Sequence, residues 1–146
     1  MKNYIIIKKK IKSFNNTINV SGDKSISIRC VLLASQGIGS SKIYNLLESE
    51  DVLNSLKSIK KLGIYYKKIS NYYLIKGLGP NGFNTNKKII LNAGNSGTFA
   101  RLILGLLVNT NNEIKIIGDK SLSIRDFSRV TEPLKKFGAI ISSNKN

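Results

Sequence analysis

The sequence predicts an α/β protein built from repeated β-α-β-α-β-β units, the second of which is truncated. Short apolar runs of strand length alternate with apolar patterns of helical spacing, and glycine-containing turns separate them. The spacing also recurs: Asp51 and Gly63 are 12 positions apart, as are Asp126 and Gly138, so these two predicted helices are offset by 75. The first helices of the two units are offset by 71. A period of this length indicates a repeated supersecondary unit. The alternative is an ordinary α/β domain whose spacing coincides by chance.

This repeat divides the chain into three parts. We expect a leading strand within residues 1–15, a first unit over 16–86 and a second, incomplete unit over 87–146. If the second unit matched the first, its closing strand would fall beyond Asn146, with the hairpin turn near residues 142–146. We therefore expect a fragment of a longer protein or a truncated reading frame, without the second domain.

The first unit is predicted from its apolar patterns and its glycine stops. Residues 5–12 and 16–20 resemble strands, and 25–35 a helix that ends at Gly37 and Gly39. A strand over 41–46 is followed by a helix with acids in its first turn, as the helix dipole prefers. Its apolar face is predicted to contain Val52, Leu53, Leu56, Ile59 and Leu62. Two strands over 64–69 and 72–76 form a hairpin about residues 70–71, and 77–86 form a loop.

The second unit is predicted by the same signals. Residues 88–91 form a strand, 92–98 a tight turn and 99–108 a helix. A strand over 113–117 and a loop over 118–125 lead to a helix over 126–137, which Gly138 ends. Pro133 falls late in that helix. A last strand is predicted over 139–142.

Composition excludes several classes of site. No apolar run approaches the ~18 residues of a membrane span, and no signal peptide is visible, so a cytoplasmic location without membrane contact is expected. The single cysteine, Cys30, excludes an internal disulfide framework and a cysteine-based zinc site. The chain has no histidine, which removes histidine catalysis and histidine metal ligands. We predict neither a metal nor a cofactor.

The net charge of +16 raises the alternative of a basic nucleic-acid-binding module. Most of the surplus is lysine, scattered in pairs along the chain and without an RNP-like aromatic pattern or a zinc finger. We therefore ascribe it mainly to solvated surface. The four arginines are more informative, because Arg29, Arg101 and Arg125 lie inside glycine-containing motifs and Arg129 follows one.

The first motif spans residues 22–29 and reads GDKSISIR. It places a glycine turn before a predicted helix, whose free N–H groups and dipole favour an anion. Lys24 supplies a point charge, Arg29 a planar fork suited to carboxylate or phosphate, and Ser25 a cap or a hydroxyl contact. The alternative is a capped helix with two surface cations.

Two further motifs follow. Residues 95–101 read NSGTFAR, in which Gly97 would let a ligand approach the backbone while Asn95, Ser96 and Thr98 surround the helix start. Residues 118–125 read GDKSLSIR and match the first motif at seven of eight positions, but at a different place in the unit. Neither a P-loop nor a Rossmann glycine pattern is present.

Together these residues resemble the N-terminal part of EPSP synthase, 3-phosphoshikimate 1-carboxyvinyltransferase. The resemblance rests on GDKSISIR at 22–29, NLLESEDV at 45–52, NAGNSGT at 92–98 and the segment from Arg125 through PL at 133–134 to FGA at 137–139. It covers nearly the whole chain from about Thr17. One departure is Ile28, where the family commonly has histidine. The repeated units agree with the enolpyruvyl transferase type of fold.

The resemblance implies transfer of the enolpyruvyl group of phosphoenolpyruvate to the 5-hydroxyl of shikimate 3-phosphate, with release of phosphate, in the shikimate pathway to chorismate and the aromatic amino acids. It implies small-molecule substrates and a monomer in the full-length family. By position, shikimate 3-phosphate would be bound by Lys24, Ser25 and Arg29. Phosphoenolpyruvate would be bound by Lys24, Asn95, Gly97, Thr98 and Arg125. The catalytic acid and base are expected beyond Asn146, so these residues alone should be inactive.

One alternative within the same chemistry is UDP-N-acetylglucosamine enolpyruvyl transferase. That family carries a Lys-Asn pair where this chain has Lys24 and Ser25, and a reactive cysteine in a loop. Cys30 lies in a predicted helix and does not fit that cysteine.

Overall fold

The structure, a computed structural model, describes residues 5–110 and 112–143. Helices and strands alternate over most of this length, which confirms the predicted α/β class. The elements of the first half are α1 (Lys24–Gln36), β1 (Ile38–Tyr44), α2 (Glu50–Lys61), β2 (Tyr65–Ile69) and β3 (Tyr72–Leu78). Those of the second half are β4 (Ile89–Asn92), α3 (Gly97–Leu107), β5 (Ile114–Ile117), α4 (Lys120–Ser123) and α5 (Ser128–Lys136).

The first half contains an antiparallel sheet in the order β1-β3-β2. The hairpin predicted about residues 70–71 is confirmed: β2 pairs with β3, with Ile69 opposite Tyr72, and Ser70 in the turn has a φ of 46°. On the other side of β3, Tyr44 is opposite Tyr72 and Ile38 is opposite Leu78. The central strand β3 thus joins β1, which follows α1, to β2, which follows α2.

In the second half β4 and β5 pair in parallel, from Ile89 opposite Ile114 to Asn92 opposite Ile117. Parallel neighbours require a crossover connection, and α3 supplies it. The pairing continues past the strand ends, because Ala93 N–H donates to the Ile117 carbonyl at 2.8 Å and Asp119 N–H to the Gly94 carbonyl at 2.9 Å. The turn after β4 and the loop after β5 are therefore held side by side.

The core lies between the helices and the inner faces of the sheets. The predicted apolar face of α2 is confirmed, since Val52, Leu56, Ile59 and the following Leu62 are fully buried and Leu53 packs against the core. Other fully buried side chains include Ile28, Val31, Ile64, Ile75, Leu91, Phe99 and Ile103.

The equal spacing noticed in the sequence has a structural counterpart. Gly63 after α2 and Gly138 after α5 both take left-handed backbone conformations, with φ of 91° and 95°. In each case the residue after the glycine donates its N–H to a carbonyl five residues earlier in the helix: Ile64 to Ile59, and Ala139 to Leu134. This is the glycine-ended Schellman arrangement. The division into units at 16–86 and 87–146 remains a prediction.

The predicted strands over 5–12, 16–20 and 139–142 are wrong within the described residues, which show neither strand nor helix there. Most large apolar side chains of these segments, such as Ile7 and Ile140, are exposed, because no neighbouring strand pairs with them. Residues 1–4 of the predicted leading strand and 144–146 of the predicted turn lie outside the described residues.

Two smaller boundaries also differ from the predictions. Gly39 does not end α1 but lies inside β1, which begins at Ile38 instead of residue 41. The predicted loop over 118–125 contains the short helix α4. Among the described residues no helix is long and apolar enough to cross a membrane, and no three His, Cys, Asp or Glu residues are grouped to hold a metal ion.

Candidate functional site

The first glycine motif begins α1 as predicted. Asp23 is the N-cap, and its Oδ1 accepts from the Ile26 N–H at 2.7 Å. The backbone of Gly22 runs so close to the segment after β1 that an added Cβ would collide with the Asn45 carbonyl oxygen and lie 3.1 Å from the Leu47 nitrogen. Only glycine fits this approach, so the start of α1 is fixed against the chain that leads into α2.

Lys24 stands at the first position of α1 and forms an ion pair with α2. Its Nζ lies 2.9 Å from Oδ2 of Asp51, while the Lys24 side chain remains about half exposed at 51%. Asp51 is buried in the first turn of α2. Its other oxygen lies 3.8 Å from where a Cβ of Gly94 would be, in the turn after β4. Asp51 therefore lies between the first motif and the turn that leads into the second.

Arg29 and Ser25 lie on one turn of α1. The Arg29 Nη1 donates to the Ser25 carbonyl at 3.1 Å, so the guanidinium folds back along its own helix. Arg29 is exposed and Ser25 is partly buried. The structure brings these two predicted residues together beside Lys24; it does not link Arg29 to the second motif.

The second motif forms the start of α3. Ser96 is a buried N-cap whose Oγ accepts from the Phe99 N–H at 3.1 Å. Gly97 is the first residue of the helix and Thr98 the second, and an added Cβ at Gly97 would lie 2.6 Å from Nη1 of Arg101 and 3.0 Å from Nη1 of Arg125. Two guanidinium groups thus meet over a residue that has no side chain.

Arg125 is held in that position by Asn95. Its Nη2 donates to Asn95 Oδ1 at 2.8 Å and to Ser121 Oγ at 3.3 Å. Asn95 Nδ2 in turn donates to Asp119 Oδ2 at 2.7 Å. The hydrogen bond from Asn95, followed by one from the Leu122 backbone, holds the pKa of the Asp119 carboxyl below its usual value. The structure therefore brings three predicted residues, Asn95, Gly97 and Arg125, into one cluster.

Sequence reasoning gave no role to three residues that shape this cluster. Arg101 Nη2 donates to the Asp126 carbonyl at 2.9 Å, and its guanidinium lies 4.9 Å from the centre of the Phe127 ring. Asp51 and Asp119 are the other two. A signal for Asp119 was available, since it follows Gly118 as Asp23 follows Gly22, whereas Asp51 becomes notable only through its long-range ion pair.

The arrangement is suited to binding anions on an open surface. Lys24, Arg101 and Arg125 supply positive charge, and the N-termini of α1 and α3 add backbone N–H groups and helix dipoles. Two clefts elsewhere in the described residues are lined by other side chains: one of about 40 Å³ includes Phe83 and Thr85, and one of about 300 Å³ includes Lys61 and Ile89.

Comparison with known proteins decides the family. The sequence model of the family described as EPSP synthase (3-phosphoshikimate 1-carboxyvinyltransferase) matches residues 8–146, nearly the whole chain. The chain belongs to the EPSP synthase family. The resemblance inferred from the glycine motifs is confirmed.

Curated relatives and solved structures agree with this assignment. The 3-phosphoshikimate 1-carboxyvinyltransferase of Streptococcus pyogenes serotype M1 is 43% identical over 126 residues, which are 86% of this chain and 29% of the relative. That of Vesicomyosocius okutanii is 41% identical over 132 residues, 90% of this chain and 30% of the relative.

Two structures of EPSP synthase from Acinetobacter baumannii, each 32% identical, superpose with TM-scores of 0.77 and 0.80. They cover 84% and 88% of this chain, and 28% and 29% of the solved chains. The EPSP synthase fold is therefore shared, and the chain spans less than a third of the length of the relatives that it matches.

Proposed function

We propose that this chain forms the part of an EPSP synthase that binds shikimate 3-phosphate and phosphoenolpyruvate. The reaction moves the enolpyruvyl group of phosphoenolpyruvate to the 5-hydroxyl of shikimate 3-phosphate and releases phosphate, on the route to chorismate. The observation that carries the proposal is the proximity of two basic helix starts: Lys24 of α1 pairs with Asp51, whose other oxygen lies beside Gly94 in the turn before Asn95, and Asn95 in turn holds Arg125.

Shikimate 3-phosphate is assigned to the start of α1. Lys24 offers an ammonium group, Arg29 a guanidinium one turn later and Ser25 a hydroxyl between them, all on an exposed or partly exposed surface. A phosphate group would take the place of the Ser25 carbonyl as the partner of Arg29, because a charged acceptor forms the stronger hydrogen bond.

Phosphoenolpyruvate is assigned to the start of α3. Arg125 and the start of α3 at Gly97 and Thr98 present positive charge to its carboxylate and phosphate, while Asn95 orients Arg125. Donors fixed in advance of binding lose little freedom when the ligand arrives. Lys24, bound to Asp51, lies between the two assigned ligands and would contact both.

The other parts of the proposal concern the whole enzyme. The chain spans about 29% of the curated relatives, so we propose that it supplies substrate contacts, while the catalytic acid and base lie outside the residues assigned here. On this proposal the chain alone turns over neither substrate. It uses no metal or cofactor and acts in the cytoplasm on small molecules.

The test is a calorimetric titration of the chain with four ligands: shikimate 3-phosphate, phosphoenolpyruvate, inorganic phosphate and UDP-N-acetylglucosamine. We expect shikimate 3-phosphate to bind more tightly than inorganic phosphate. Lys24→Ala should weaken both assigned ligands about tenfold, and Arg125→Ala should weaken phosphoenolpyruvate alone, since one charge-assisted hydrogen bond is worth about that much.

The matched control is Lys88→Ala, which also removes one lysine. Lys88 pairs with Glu113 at the N-terminal ends of β4 and β5, whereas the proposed site lies beyond their C-terminal ends. Equal weakening by Lys88→Ala would show that only net charge attracts the ligands and would contradict the proposal. Shikimate 3-phosphate that binds no better than inorganic phosphate would contradict it as well.

A further inference from the structure

Asp119 uses both oxygens of its carboxylate, and each oxygen has a different partner. Oδ1 accepts from the Leu122 N–H at 2.7 Å and caps α4, while Oδ2 accepts from Nδ2 of Asn95 at 2.7 Å. The backbone of Asp119 is fixed too, because its N–H donates to the Gly94 carbonyl at 2.9 Å. The carboxylate is thus anchored by its own chain and directed at the neighbouring turn.

The side-chain amide of Asn95 has one donating end and one accepting end. An ionised carboxylate can only accept, so Asn95 must turn its Nδ2 toward Asp119. Oδ1 then faces Arg125 and accepts from its Nη2 at 2.8 Å. This leaves Nη1 of Arg125 beside Gly97, 3.0 Å from where a Cβ would stand. The direction of one amide therefore decides whether Arg125 finds an acceptor in Asn95 that holds its Nη1 beside Gly97.

We propose that Asp119 is a positioning residue, which sets the orientation of the Asn95 amide and through it holds the Arg125 guanidinium over Gly97 for an anionic ligand. This inference deepens the proposed function and rests on it for the identity of that ligand, phosphoenolpyruvate. The lowered pKa of the Asp119 carboxyl agrees with it, since the ionised form accepts the Asn95 hydrogen bond.

The deciding variant is Asp119→Asn. Asparagine is as good an N-cap as aspartate, so its oxygen can still accept from Leu122 and preserve α4. Its nitrogen, however, would face the nitrogen of Asn95, and two donors cannot satisfy each other. The Asn95 amide then turns over and presents its own N–H groups to Arg125, which keeps only its longer hydrogen bond to Ser121, at 3.3 Å. Asp119→Ser, which can also cap a helix but is too short to reach Asn95, is a second variant with the same expectation.

The first readout needs no ligand. In ¹⁵N NMR spectra we expect the Arg125 side-chain N–H and the Asn95 side-chain amide, which belong to exposed residues, to exchange with water more slowly in the unaltered chain than in Asp119→Asn and Asp119→Ser. The matched control is Glu113→Gln, which removes one negative charge at the opposite end of β5, where Glu113 pairs with Lys88. The control should leave both signals unchanged.

A double variant that exchanges the two side chains tests whether a carboxylate acceptor is what orients the hydrogen bonds from position 119 through position 95 to Arg125. In the double variant Asp119→Asn/Asn95→Asp, the carboxylate at position 95 can accept both from the amide at 119 and from Arg125. We expect the slow exchange of Arg125 to return. Phosphoenolpyruvate binding should not return, because a negative charge then stands beside its site.

The second readout is binding. Asp119→Asn should weaken phosphoenolpyruvate about tenfold and shikimate 3-phosphate less than about twofold, because only the former is assigned to Arg125. Unchanged Arg125 exchange in both single variants would overturn the inference. An unaltered chain that binds no phosphoenolpyruvate would instead contradict the proposed function, and the NMR comparison would still decide the role of Asp119.

Discussion

Gly97 lies where an added side chain would contact two arginines. Its φ does not lie in the left-handed region, so the backbone would accept another residue. An added Cβ would lie 2.6 Å from Arg101 and 3.0 Å from Arg125. Both neighbours are the ends of flexible side chains, which can move aside.

We therefore predict that Gly97→Ala leaves the free energy of unfolding within about 0.5 kcal/mol of its original value, since alanine is also the better helix former. Phosphoenolpyruvate affinity should fall about tenfold, because Arg125 is displaced from the ligand. Urea unfolding and calorimetric titration of the same sample measure the two quantities. A loss of stability without a loss of affinity would contradict the geometry.

A second residue-scale feature is the buried Tyr73 beside Glu48. Burial, and then the Glu48 carboxylate, raise the pKa of Tyr73 to about 12. The Glu48 carboxylate also pairs with Lys68, whose hydrogen bond is the largest cause of a lowered Glu48 pKa. The folded state thus favours the protonated phenol.

The sign of the pH dependence follows from that raised pKa. Below pH 10 the phenol keeps its proton in both the folded and the unfolded state, and its contribution to the free energy of unfolding is complete. This contribution is lost as the pH rises through about 12, because the unfolded chain ionises more readily than the folded one. We predict that the unfolding free energy of the original chain exceeds that of Tyr73→Phe by about 1 kcal/mol at pH 7 to 9. This difference should shrink between pH 10 and 12. A difference that stays constant up to pH 12 would show that Tyr73 is not buried as described.

At the scale of elements, β3 passes directly against the end of α1. A Cβ at Gly77 would collide with the carbonyl oxygens of Gly37 and Ala34, both of which belong to rigid backbone. The contact joins the central strand of the sheet to the helix that carries Lys24.

We predict that Gly77→Ala destabilises the fold by more than about 2 kcal/mol, since backbone cannot move aside as a side chain can. The matched control is Gly105→Ala, which has open space within α3 and should stabilise by about 0.5 to 1 kcal/mol. Thermal or urea unfolding of the two variants gives the comparison. Similar stabilities for both would contradict the close approach of β3 to α1.

Helices were predictable from the sequence because their start and stop signals are local. Asp23 and Ser96 cap helices within three residues, and Gly63 and Gly138 end them. The hairpin about residues 70–71 was predictable for the same reason. Residues 16–20 have a strand-like composition, but a strand needs a partner, and no local signal indicates one.

The same contrast between local signals and long-range contacts applies to the candidate site. Lys24, Asn95, Gly97 and Arg125 could be selected because they lie in glycine motifs. The carboxylate of Asp51 could not, since its significance is an ion pair across 27 positions of sequence. Arg101 is the intermediate case, because it was visible at the end of a motif but its contact with Phe127 depends on the packing of α3 against the chain before α5.

At the scale of the whole molecule, net charge outweighs the individual ion pairs. The chain carries 24 basic and 8 acidic residues. Of the ion pairs in the described part, those of Lys88 and Lys135 join exposed side chains, and such pairs contribute little. Repulsion among the surplus lysines is therefore the main electrostatic effect on stability.

We predict that raising sodium chloride from 10 mM to 150 mM increases the melting temperature by a few degrees, because the Debye length falls from about 30 Å to about 8 Å and the repulsion is screened. Differential scanning calorimetry without phosphate or sulfate, which could bind at the helix starts, is the measurement. A lower melting temperature in salt would mean that the ion pairs contribute more than the repulsion.

The two hydrogen bonds that extend the β4–β5 ladder have a consequence for ligand recognition. They tie the residue before Gly94 to the end of β5, and Gly94 itself to Asp119, so fraying of either strand end must displace both sides of the anion cluster at once. Conformations in which Asn95 keeps its position while Arg125 has left it are then disfavoured. A ligand bound to the anion cluster should therefore also oppose the melting of the two-stranded β4–β5 sheet.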